Sequence, residues 1–78
     1  MSTARDDDVL VRLTHAEALV LFELLARADD DGVLANVDDA DERVLRCIEA
    51  QLERVLSEPF RADYADLVNA ARKTVRES

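Results

Sequence analysis

His15, Cys47 and three serines are the side chains from which a nucleophilic or metal-bound centre would have to be built. Their spacing does not build one. His15 is the sole histidine of 78 residues, so no second imidazole is available to share a metal or a proton relay. It falls in the first turn of a predicted helix, where the dipole disfavours a cationic ring, and reads as a surface residue. Ser2 and Ser57 lack a nucleophile elbow or a neighbouring base, and Ser78 is the last residue. Cys47, the only cysteine, lies at the edge of the apolar arc of a later helix and reads as a small packing residue. The adjacent carboxylates Asp38 and Asp39 are of the right type for acid–base work, but a helix start accounts for them. The sequence predicts no catalytic residue, no enzyme activity and no cofactor.

Asp29-Asp30-Asp31-Gly32-Val33-Leu34 resembles part of an EF-hand calcium loop, with Gly32 at its sixth position and an apolar residue at its eighth. In that register the first ligand position is Arg27, a cation, and the twelfth is Asp38 in place of the longer bidentate glutamate. The stretch therefore reads as an acidic turn that ends a helix, and no metal site is predicted.

Eighteen acidic and ten basic residues give a formal charge of −8. Residues 1–41 carry eleven acids and three bases, whereas residues 42–78 carry seven of each, so the acidity belongs to the first half. Such a surface repels nucleic acid and anionic lipid at long range. Nine arginines to one lysine, with twelve alanines and eleven aspartates, look like a chain encoded by a GC-rich genome, and a salt-adapted organism would also favour such an acid-rich, lysine-poor surface; a bacterial source is expected. No apolar run reaches the ~18 residues of a membrane span, and the acidic start lacks the basic region of a secretory signal. A cytoplasmic protein is expected. A hydrophobic content of 49% suits one small folded domain.

The elements that must position these residues follow from caps and breakers. Residues 1–8 hold no large apolar side chain after Met1 and read as a disordered acidic tail, leaving 9–78 as a single helical domain. Thr14 and Glu17 form a capping box that starts a helix over about 15–28. Gly32 and the aspartates before it stop that helix. Asp38 or Asp39 starts a second over about 39–57, and Pro59 ends it, with Phe60 expected to tuck into the core. Asp63 caps a third over about 64–76, with Asp66 in its first turn and Arg72, Lys73 and Arg76 at its negative end. The fold class is mainly α, a three-helix small domain. The β-branched runs 9–13 and 33–37 could pair as a short two-stranded β-ribbon.

The second helix has one apolar arc (Val44, Leu45, Ile48, Leu52, Val55 and Leu56), and the third has a narrower one (Tyr64, Leu67, Val68, Ala71 and Val75). The first helix differs. Leu19 to Phe22 with Leu24 and Leu25 cover nearly its whole circumference and leave only Glu23 and Arg27 as a polar strip. Either its two neighbours and the ribbon cover it on all sides, or a face bearing Leu21, Phe22 and Leu25 stays open for a second copy or another protein.

The thirteen residues Leu13-Thr14-x-x-Glu17-x-x-Val20-Leu21-x-x-Leu24-Leu25 resemble the early helix of winged-helix and helix-turn-helix regulators. That resemblance implies DNA binding, for which the balanced C-terminal half offers Arg61, Arg72, Lys73 and Arg76. A basic recognition helix is missing, since the second helix presents Glu42, Glu49 and Glu53. The sequence as a whole favours a small acidic, non-catalytic interaction module that forms a homodimer or docks on a protein partner, with neither nucleic acid nor membrane. In size and charge it is similar to antitoxins, immunity proteins and nucleic-acid mimics. Its expected interaction residues are the apolar Leu21, Phe22 and Leu25 and the acidic Asp29, Asp30, Asp31, Asp38 and Asp39. An accessory subunit without activity of its own is the remaining reading.

Overall fold

A computed structural model describes residues 7–78. The chain is mainly α, with three helices: α1 (His15–Asp30), α2 (Asp39–Val55) and α3 (Tyr64–Arg76). Single 3-10 turns at Val33–Asn36 and Glu58–Phe60 join them. Residues 1–6 of the predicted tail lie outside the described residues, and Asp7 and Asp8 are exposed.

The helix starts are set locally. The Thr14 hydroxyl accepts from the Glu17 amide at 3.1 Å, and Glu17 Oε1 accepts from the Thr14 amide at 2.8 Å. Two of the four orphan donors of α1 are satisfied this way. Asp38 Oδ1 accepts from the Ala40 amide at 2.8 Å and starts α2. Asp63 precedes α3 but makes no capping bond; its carboxylate accepts instead from Arg61, whose Nε and Nη2 lie 3.0 and 3.2 Å from it. α1 runs to Asp30, two residues beyond the expected end. The Asp31 amide still donates to Arg27 O at 2.9 Å, and the chain turns only at Gly32, whose φ of 75° lies in the left-handed region.

α1 is the helix on which both others pack. Leu19 and Phe22 of α1 meet Val68 and Ala71 of α3, and Leu56 closes the cluster from the end of α2. Leu25 and Leu34 are also buried, the latter from the 3-10 turn that packs under α1. The expectation that Phe60 enters the core is corrected. Leu56 leaves the helix at φ −95° and ψ 133° and takes the inward position at 4% exposure, while Phe60, four residues on and past Pro59, is 75% exposed. The same departure ends α2 at Val55, short of Ser57.

The β-ribbon is not formed, and the described residues contain no strand. Residues 33–36 coil into a 3-10 turn that buries Leu34 against the end of α1 and leaves Val33 exposed. Residues 8–14 are left without regular secondary structure and without the ladder that 33–37 would have supplied.

Candidate interaction surface

The apolar residues expected to form an open face divide between core and surface. Phe22 and Leu25 are buried, so they are core positions and cannot be docking residues in the folded chain. Leu21 is half-buried, and the exposed apolar residue of α1 is Leu24, at 60%. A helix apolar on every side carries no signal for its own rotation; packing against α2 and α3 decides it.

Leu21 instead forms part of the floor of a groove. With Ile48 and Leu52 of α2 it faces the segment before α1, whose Val9, Leu10, Val11 and Leu13 make the opposite wall of a cavity of about 430 Å³. Val9, Leu10 and Val11 are 86%, 81% and 77% exposed, three consecutive large apolar side chains that the folded chain does not cover. α2 adds to the open surface. Although one side of it is strongly apolar, none of its residues is buried, and Val44 and Val55 are exposed. Sequence reasoning picked out Leu21 and the strand-like character of 9–13 but did not join them. The available signal was an apolar run directly ahead of a helix cap, with no breaker between them.

The acidic residues are largely occupied in helix ends. Asp38 caps α2, and Asp31 is the last residue before the glycine turn. Asp29 Oδ1 accepts from Arg46 Nη2 at 3.0 Å, tying α1 to α2, and Glu42 Oε2 lies 3.4 Å from the same nitrogen. The charge of Asp29 raises the proton affinity of that guanidinium, desolvation opposes it, and the hydrogen bond that Arg46 donates to Glu42 adds to the rise. Glu49 is pushed above the usual carboxylate range, first by partial burial and then by the nearby charge of Asp29. Asp30 and Asp39 are exposed.

The groups considered for chemistry do not converge. His15 is exposed, as expected, yet its Nε2 lies 2.5 Å from Glu58 Oε2, a contact across 43 residues that no local pattern announces. Cys47, expected to pack, is exposed and accepts from Gln51 Nε2 at 3.4 Å. Asp29 and Asp30 belong to α1 rather than to a metal-binding loop, and among the described residues no three His, Cys, Asp or Glu side chains are placed to hold a metal ion. A second cavity, of about 290 Å³, lies between the start of α1 and the end of α3. Thr14 and Glu17, which line it, are engaged with each other in the capping box. Of the cations considered for DNA, Arg61 is paired with Asp63 and Arg72 bonds Asn69 at 3.4 Å. No helix of the described residues is long and apolar enough to cross a membrane. Compared with protein-family models, curated proteins and solved structures, the chain matches none.

Proposed function

We propose that this protein is a small, acidic, non-catalytic interaction module that docks through the groove between residues 9–13 and the α1–α2 face, with self-association as its first use. The observation that carries this reading is the run Val9-Leu10-Val11, nearly fully exposed beside an apolar floor of Leu21, Ile48 and Leu52. Soluble monomers seldom leave contiguous apolar patches of more than a few hundred Å² open, and such patches mark docking sites. The charge of −8 keeps the rest of the surface soluble and suits the outside of the assembly to a basic partner. Asp30, Asp31, Asp38 and Asp39, exposed where α1 ends and α2 begins, are the acids that would meet it.

Light scattering on a sizing column over a range of concentrations tests the reading. The native chain is expected to rise above its 8.7 kDa monomer mass. Val9→Glu combined with Val11→Glu is expected to stay at that mass and to melt where the native chain melts once dilution has made it monomeric, because neither side chain contributes to the core. A native chain that remains monomeric throughout, or a double variant that unfolds, overturns it.

A further inference from the structure

We propose that the occupant of the groove is a second copy of this chain, whose residues 8–12 pair antiparallel with their counterparts across a two-fold axis at Leu10. This rests on the docking reading above and adds the partner, the direction and the register. Val9-Leu10-Val11-Arg12-Leu13 is rich in residues that favour strands. Among the described residues, its main-chain amides and carbonyls enter no backbone hydrogen bond of a turn, cap or ladder. The internal partner that the sequence offered, residues 33–37, is consumed by the turn that buries Leu34. A ladder for this segment therefore has to come from another chain, as edge-strand pairing commonly provides.

Self-complementarity selects a second copy. In an extended segment Val9, Val11 and Leu13 share one face, and Asp8, Leu10 and Arg12 share the other. Antiparallel pairing about Leu10 sets Val9 against the second copy's Val11 and Asp8 against the second copy's Arg12, and the two-fold repeats both pairs. Parallel pairing in register would set Asp8 against Asp8 and Arg12 against Arg12. A carboxylate has about four acceptor sites, so Asp8 can accept from the second copy's Arg12 alongside a contact within its own chain. Val9, Leu10 and Val11 expose on the order of 400 Å² per copy, about half of the roughly 800 Å² that each side of a standard interface contributes, so the association expected is weak and concentration-dependent.

Charge exchange and cross-linking test the arrangement. Asp8→Arg and Arg12→Asp are each expected to weaken self-association about tenfold, because each sets like charges opposite one another twice. An equal mixture of the two variants is expected to regain it as a heterodimer. In a Cys47→Ser background, Leu10→Cys is expected to form a disulfide-linked dimer about tenfold faster than Val55→Cys, an equally exposed control on α2, since the residue on the axis meets its own counterpart about 5 Å away. A native chain that never associates would end the docking reading itself. A chain that associates but is indifferent to both charge variants, or that cross-links no faster at position 10 than at position 55, overturns this arrangement and leaves the docking reading standing.

Discussion

The Tyr64 hydroxyl, at the start of α3, donates to Glu23 Oε1 of α1 at 2.9 Å, and the other oxygen of the same carboxylate accepts from Arg27 at 3.0 Å. Glu23 is thus shared between its own helix and the neighbour that packs most closely on it. Partial burial, followed by this hydrogen bond, pushes the Tyr64 phenol well above its ordinary range. A pKa raised on folding contributes stability that is complete below the unfolded value of about 10 and is lost as pH rises through the folded value. Tyr64 is the only tyrosine and there is no tryptophan, so the long-wavelength phenolate absorbance, at roughly 295 nm, reports this group alone. Phenolate absorbance is expected to appear only together with loss of helical circular dichroism above about pH 10. Tyr64→Phe should lower stability by about 1 kcal/mol, a fall in Tm of roughly 4–8 °C. A phenol that titrates near 10 in the folded chain would refute the clasp.

Leu56 and Phe60 make opposite predictions from those that side-chain size suggests. Leu56→Ala should cost about 2–5 kcal/mol, because it removes a wall of the cluster formed by Leu19, Phe22, Val68 and Ala71. Phe60→Ala should cost under about 0.5 kcal/mol, since its ring is mostly in solvent. Urea midpoints of the two variants measured beside the native chain decide this, and a larger loss at position 60 would restore Phe60 to the core.

The three helices were legible because their signals are local. Thr14 with Glu17, Asp38, Gly32 and Pro59 act within a few residues of where they stand, and each marks a boundary close to where the structure has it. What was not legible depends on which of two equivalent choices tertiary packing makes. Leu56 and Phe60 flank one proline, and only the fit against Val68 selects the first. α1 is apolar around nearly its whole circumference, so its sequence could not say that Leu24 would face water while Phe22 and Leu25 were buried. Residues 33–37 have strand-like composition, but one buried leucine at the end of α1 outweighs a two-stranded pairing that is marginal by itself. The groove inherits this uncertainty, because its wall and floor come from three segments whose relation no periodicity encodes.

Gly32 is the one residue of the described chain with positive φ. A β-carbon there would meet nothing within 4 Å, so substitution tests backbone conformation without a packing change. Gly32→Ala should destabilise by about 1–2 kcal/mol, and Gly32→Asn by less, because asparagine tolerates the left-handed region. Thermal melts of both variants check the order. Equal Tm values for Gly32→Ala and the native chain would mean that α1 can end without this turn.

His15 and Glu58 join the start of α1 to the turn before α3, and they supply a pH dependence with a definite sign. The hydrogen bond from His15, followed by a backbone amide, holds the Glu58 carboxyl below its usual range. A carboxyl lowered on folding contributes stability that is present above the unfolded value of about 4.3 and is lost as pH falls through the folded value. Its Oε1 is buried with no partner, which offsets part of the gain, so the contribution is modest. Glu58→Gln removes the charge and keeps the shape. The Tm of the native chain should exceed that of this variant at pH 6, and the gap should narrow as pH falls below about 4.3 and close once the folded chain binds the proton at Glu58. His15→Ala should narrow the same gap at pH 6, since it removes the group most responsible for the lowered value. A difference between native and Glu58→Gln that persists unchanged at pH 3 would show that the glutamine perturbs the turn itself, and that the carboxylate contributes nothing through its charge.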